Sequence, residues 1–274
     1  MYWVEVYDGD VMKISTSGGT AVIEASSAIA GNSATLVMDM TDLYWADWAN
    51  IWTKPIGTGA VAPVATSLSF YGLAEAYATD LYAMSGVGNT SNSIDKISIS
   101  DGSVSQIITL PWYSRASIEV DATGVYWTNI PDAVIGKSQH DGSSEVTLAV
   151  GLNSPHSLIL DSGALYWAES NAIKSMNTSG GTITTIAENV SPAHMTKDST
   201  NVYFSEEAGY PAYYEHYIKS VNISTGVVEV LSKIDLSSND IRDIVVDDTY
   251  LYLLMAGNQY YPPLGKILKY EKSY

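Results

Sequence analysis

Apolar residues along the chain fall in short runs broken by Gly, Asp, Asn and Ser, and nowhere does the spacing of a helical face persist. One run keeps returning. An apolar residue followed by Tyr recurs as Met1-Tyr2-Trp3, Leu43-Tyr44-Trp45, Leu81-Tyr82-Ala83, Val125-Tyr126-Trp127, Leu165-Tyr166-Trp167, Val202-Tyr203-Phe204 and Leu251-Tyr252-Leu253. These tyrosines are 42, 38, 44, 40, 37 and 49 residues apart, a period that suits propeller blades and is too long for leucine-rich or ankyrin units.

The units agree beyond that tripeptide. Residues 166–188, YWAESNAIKSMNTSGGTITTIAE, read almost directly onto residues 2–25, YWVEVYDGDVMKISTSGGTAVIEA. Each unit holds four β-type runs. The first ends near an Asp (Leu36–Asp39, Ile118–Asp121, Leu158–Asp161, Ile244–Asp247), and the Tyr run follows. The third carries a Lys and stops at a Gly turn (Ser17-Gly18-Gly19, Asp101-Gly102, Asp141-Gly142, Ser179-Gly180-Gly181, Thr225-Gly226). The fourth is rich in Thr and Val (Thr182–Ala187, Val227–Leu231). Gly and Asp at the turns allow tight hairpins.

Four antiparallel strands per unit predict an all-β fold, one β-propeller domain over residues 1–274. Seven Tyr strands predict seven blades. The first lacks its inner strand, and the last, ending on Lys266–Tyr270, lacks its outer one. The alternative is six blades, with Thr20–Ala25 closing the final unit and residues 1–18 left as a spare hairpin.

The Tyr-Trp strands resemble the YWTD repeat of lipoprotein-receptor propellers. They resemble still more the VYWTN units of bacterial surface and secreted propellers, a form that Val125-Tyr126-Trp127-Thr128-Asn129 carries in full. The resemblance covers essentially the whole chain and implies a secreted or cell-surface binding domain, without naming a ligand. Receptor propellers of this type have six blades, so a seventh copy departs from them.

Composition narrows the partners. Thirty acidic residues against thirteen basic give a net charge of −17, which opposes binding to nucleic-acid phosphates. No apolar stretch is long enough to span a bilayer, so no membrane insertion is expected. Without cysteine there is no disulfide framework, thiolate metal site or cysteine nucleophile. The opening residues Met-Tyr-Trp-Val-Glu-Val have neither the basic nor the apolar region of a signal peptide, so a secreted location requires that the signal has been removed. Twenty Tyr and seven Trp beside two Phe, with abundant Ser, Thr and Gly, suit an extracellular all-β surface.

Residues present in every unit belong to the architecture. The polar position three beyond the Tyr (Glu5, Asp47, Ser85, Asn129, Glu169 and Glu206, with Met255 the exception) is read as hydrogen bonding to turns rather than as a ring of metal ligands. Lys13, Lys54, Lys96, Lys137, Lys174, Lys219 and Lys269 fall one per unit, and are read as solvated strand positions that discourage edge pairing rather than as an anion-binding stripe.

What remains is chemistry outside the repeat. Arg115, His156, His194, Arg242 and Asp243 fall where first strands begin, and Glu75 and Glu119 replace apolar residues a few positions later. The repeat predicts these seven around one mouth of the channel. On the same face, long loops carry Tyr210, Tyr213, Tyr214 and His216 within EEAGYPAYYEH, and Tyr260 and Tyr261 within GNQYYPPLG. Trp48 lies in an equivalent loop, and Trp112 and Tyr113 in an entry loop. Aromatic faces stack on sugars or anchor protein partners, and the neighbouring Pro211, Pro262 and Pro263 stiffen the loops.

No nucleophile elbow, zinc-protease motif or phosphate loop is present. Asp8-Gly9-Asp10 is the only hint of calcium or another divalent ion, lacks the remaining ligand spacing, and leaves no cofactor expected. Sequons begin at Asn89, Asn177, Asn189 and Asn222. The reading is therefore a non-catalytic propeller that holds a glycan or protein through its aromatic loops. The alternative is an enzyme: Val202-Tyr203-Phe204-Ser205-Glu206 resembles a strand of streptogramin lyases, which implies His156 or His194 as base and Glu75 or Glu119 as metal ligand or acid.

Overall fold

The structure is a computed structural model, and it describes residues 1–4, 10–25, 35–47, 49–66, 70–87, 91–111, 117–208, 215–235, 241–255 and 266–272. The chain folds as a seven-bladed β-propeller whose sheets follow one another in chain order. Blade one holds β1 (Tyr2–Val4), β2 (Val11–Lys13) and β3 (Val22–Ala25). Blade two holds β4 (Leu36–Met38), β5 (Asp42–Ala46), β6 (Ile51–Pro55) and β7 (Ala62–Ala65). Blade three holds β8 (Phe70–Tyr77), β9 (Asp80–Val87), β10 (Ser91–Ser98) and β11 (Val104–Leu110). Blade four holds β12 (Ile118–Asp121), β13 (Gly124–Asn129), β14 (Val134–Ser138) and β15 (Val146–Ala149). Blade five holds β16 (His156–Asp161), β17 (Ala164–Glu169), β18 (Ala172–Asn177) and β19 (Thr184–Glu188). Blade six holds β20 (Pro192–Lys197), β21 (Asn201–Ala208), β22 (Glu215–Asn222) and β23 (Val228–Asp235), and blade seven β24 (Ile241–Val246), β25 (Tyr250–Met255) and β26 (Lys266–Glu271).

Among the described residues, the first and last blades have three strands each, as the repeat predicts. The six-bladed alternative fails on pairing. β3 runs against β2 rather than closing the last blade, with Val11 opposite Ala25.

Two compact units divide the chain, residues 1–132 with 136–147, and residues 133–135 with 148–274. Within each, the core lies between successive sheets. In the first unit Val4 and Val11 of blade one meet Leu43 and Trp45 of blade two, and Ile94 and Ile108 of blade three meet Ile118 and Trp127 of blade four. In the second, Ile173 and Ile186 of blade five meet Val202 and Phe204 of blade six, whose Tyr203 and Ile218 meet Ile244 and Leu253 of blade seven. Strands buried on both faces explain the near-continuous apolar runs of the second strands.

The repeat Tyr has a partner that explains its recurrence. Tyr44 donates to Asp39, Tyr203 to Asp198 and Tyr252 to Asp247, at 3.0, 2.8 and 2.8 Å. Each Asp stands five residues earlier and also receives the backbone N–H groups of the intervening turn, as Asp39 does from Thr41 and Asp42. One carboxylate thereby closes the turn and anchors the phenol. Blade three lacks such an Asp, and there His140 takes the role, with Nδ1 2.8 Å from the Tyr82 hydroxyl and its ring stacked on Tyr77.

The polar position three beyond the Tyr works as expected. Asp47 accepts from the N–H groups of Ala49 and Asn50 and from the Trp52 indole, and Glu206 from the N–H of Ser191. Lys269 is exposed and Lys13 40% exposed at its side chain, as expected of solvated positions, but other lysines of the series correct that expectation. Lys54 is buried and ion-pairs with Glu24 at 2.6 Å, Lys174 pairs with Glu169 at 3.0 Å, and Lys219 pairs with Glu206. Lys137 and Lys269 sit over the Tyr126 and Tyr250 rings, 4.8 and 3.5 Å from the centroids. They tie neighbouring strands together because their ammonium groups find carboxylates and ring faces there, inside the sheet stack for Lys54 and at the solvent boundary for Lys269.

Candidate functional site

The polar cluster that survives subtraction of the repeat lies in the second unit, where β16, β20 and β24 begin. Each of these strands departs from regular pairing just after its start, between His156 and Ile159, Pro192 and Met195, and Ile241 and Asp243. An extra residue in a strand re-aims the side chains beside it. Ser157 adopts a φ of 48° within the first of these irregularities.

His156 is held on both sides. Its Nδ1 lies 2.9 Å from the Ser154 carbonyl and its Nε2 2.9 Å from the Pro192 carbonyl, while the Ser157 hydroxyl donates to the Ala193 carbonyl at 3.1 Å. These bonds sew the start of β16 to the start of β20. A general base needs a ring nitrogen with its lone pair free for a substrate proton, and both His156 nitrogens face carbonyl oxygens.

His194 is half-buried, and its backbone N–H donates to the Ser205 hydroxyl at 3.2 Å. Burial pushes its imidazole below the usual histidine value, with Arg242 and His156 adding to the effect and Asp243 and Glu207 opposing it. Asp243 shows the mirror image. Burial raises its carboxyl, while the Ile244 N–H, 2.8 Å away, and His194 pull it down. Asp243 and Arg242 are nevertheless exposed, so water reaches a spot crowded by protein. Glu207, also exposed, belongs to this cluster and was missed from sequence, because it reads there as the start of a loop.

Glu207 links the cluster to the blade-six hairpin. In blade five the second and third strands end at the pair Glu169 with Ala172, but in blade six they continue to Ala208 with Glu215. β23 extends in step, pairing Asp235 with Glu215 and Ile234 with His216. Two extra pairs in each ladder make a three-stranded projection. It is braced by Lys233 on Glu215 at 2.5 Å and by the Tyr217 hydroxyl donating to Glu215 at 2.6 Å. His216 is buried beneath it, its Nδ1 3.9 Å from Glu207, and so serves as packing for the hairpin base.

Residues 209–214, with Tyr210, Tyr213 and Tyr214, lie outside the described residues, as do Trp48, Trp112, Tyr113, Arg115, Tyr260, Tyr261, and Asp8 and Gly9 of the Asp8-Gly9-Asp10 stretch. Glu75 and Glu119 belong to the first unit, where burial raises the carboxyl of Glu75. Among the described residues no group of three or more His, Asp or Glu side chains is placed to hold a metal ion.

No family model matches the sequence, and no curated protein matches it. Solved structures do. A propeller in a nidogen–laminin complex is 20% identical over 79% of this chain and 89% of that one, with a TM-score of 0.59. An oligogalacturonate lyase from Vibrio parahaemolyticus is 12% identical over 97% of this chain and 85% of that one, with a TM-score of 0.75, and an oligogalacturonate lyase in complex with manganese reaches 0.68 at 12% identity, over 91% and 80%. At such identities the likeness establishes the β-propeller fold and nothing beyond it.

Proposed function

We propose that this propeller is a non-catalytic binding module that holds a protein partner on the blade-six hairpin. The observation that carries the reading is the three-stranded extension of β21, β22 and β23, braced by Glu215, Tyr217 and Lys233, from which a Tyr- and Pro-rich segment departs. A braced base lowers the ordering cost of binding for the segment it carries, and Tyr supplies contact area together with a polar tip. The exposed Arg242, Asp243 and Glu207 beside it form a charged rim. A propeller in a protein–protein complex stands among the structural neighbours, which supports the choice of a protein over a glycan.

The lyase reading has its own support, the manganese-bound oligogalacturonate lyase among those neighbours. Against it stand the position of both His156 ring nitrogens, each 2.9 Å from a backbone carbonyl, and a net charge of −17, which repels an acidic oligosaccharide. Incubation with oligogalacturonate and manganese tests the point: no unsaturated product should form. Product that disappears in His194→Ala would replace the binding reading with the enzymatic one.

A further inference from the structure

In blades two, five and six the third-strand residue just past the bulge serves the polar position three beyond the repeat Tyr. Trp52 donates its indole N–H to Asp47, Lys174 its ammonium to Glu169, and Lys219 its ammonium to Glu206. Both oxygens of each acceptor are engaged. Asp47 also receives the Ala49 and Asn50 N–H groups, Glu169 the Trp167 indole, and Glu206 the Ser191 N–H.

Blade three reverses the polarity. There the residue past the bulge is Asp95, and Ser85 stands three beyond Tyr82. Ser85 donates to Asp95 Oδ2 at 2.5 Å, and the Ser93 hydroxyl lies 2.8 Å from that of Ser85. Because the Ser85 hydrogen goes to the carboxylate, Ser93 donates to Ser85. Both hydroxyl hydrogens are then spent, while lone pairs remain on both oxygens. Asp95, Ser85 and Ser93 are 8%, 7% and 6% exposed, and Asp95 Oδ1 is, among the described residues, the one buried carboxylate oxygen without a hydrogen-bond partner.

No salt bridge offsets this carboxylate among the described residues. Lys96 is next along β10, but successive strand residues face opposite ways, and its ammonium lies 3.8 Å from Asp80. Asp95 stands opposite Ala83, whose core neighbours Ala46, Ile51 and Ala65 come from blade two and carry no charge. A buried carboxylate without a counter-charge is costly, the deficit that blade five would show if Glu169 lost Lys174.

We infer that Asp95, Ser85 and Ser93 hold a monovalent alkali cation in blade three, in the role that the lysine ammonium fills in blades five and six. The ion takes Asp95 Oδ1 and the remaining hydroxyl lone pairs as its ligands. One carboxylate balances one positive charge, whereas a divalent ion would leave an excess buried charge. Carboxylate and hydroxyl oxygens are hard donors, suited to such an ion and not to soft metals. The site lies in the first unit, and the inference does not depend on the blade-six hairpin.

The test is thermal unfolding of the intact chain in choline chloride, sodium chloride and potassium chloride at one ionic strength. The expected result is a saturating rise in unfolding temperature of about 3 °C or more when sodium or potassium replaces choline. Asp95→Asn should abolish the rise. Should that variant fold poorly, Ser85→Glu with Asp95→Lys rebuilds the carboxylate–ammonium pair of blades five and six, and this chain should unfold at one temperature in all three salts. Equal unfolding temperatures of the unaltered chain in the three salts, as an ordered water alone would give, would overturn the inference. So would an undiminished rise in the double variant.

Discussion

Tyr203 donates its hydroxyl to Asp198 at 2.8 Å, and the same carboxylate oxygen accepts from Lys272 at 2.8 Å. Burial opposes the charge on Asp198. Lys272, the N–H groups of Asn201 and Thr200, and the Tyr203 hydroxyl outweigh it and bring the pKa to about 2. The folded value lies below the unfolded one, so this stabilisation is complete above roughly pH 4 and is lost as the pH falls toward 2. Lys272→Met should cost about 2 kcal/mol at neutral pH. The difference from wild type should shrink near pH 3, as read by chemical denaturation. An undiminished difference would remove Asp198 as the anchor.

Gly142 and Gly163 both have positive φ, 81° and 79°, but differ in surroundings. A Cβ at Gly163 meets nothing within 4 Å, whereas one at Gly142 runs into the Ile107 carbonyl of the preceding blade. Gly163→Ala should therefore cost about 1 kcal/mol from backbone strain alone, and Gly142→Ala about 2 kcal/mol or more. Thermal unfolding of the pair separates the two. Equal losses would mean that the close approach between blades is unimportant.

His194 reports on its neighbours. Asp243 raises its pKa and Arg242 lowers it, against a dominant burial effect. Asp243→Asn should thus move the His194 titration lower, and Arg242→Ala should move it higher, followed by NMR of the imidazole. Because burial holds the folded value below the unfolded one, the His194 contribution is fully present above its unfolded pKa and is lost as the pH falls from there through the lower folded value. Shifts of the opposite sign would break the cluster apart as an electrostatic unit.

The architecture was legible because period and pattern agree over the whole chain. The lysines fell one to a third strand, and the position three beyond the Tyr proved to be turn chemistry, as for Asp47 and Glu206. What the lysines do there was not legible, since Lys54 meets Glu24 only through a neighbouring blade. The same holds for His156, whose carbonyl partner Pro192 is 36 residues away, and for Glu207, which becomes part of the cluster only when the hairpin ladder runs past its usual end. Local pattern specifies strands, whereas contacts between blades depend on how each strand start is bulged.

The most direct test of the binding reading is an array of extracellular proteins and glycans probed with the intact chain and with Tyr213→Ala/Tyr214→Ala, each with and without EDTA. The account predicts a specific protein signal that survives EDTA and falls by at least about tenfold in the double variant, with the unfolding temperature unchanged. A signal equal in both proteins, confined to glycans, or abolished by EDTA would contradict it.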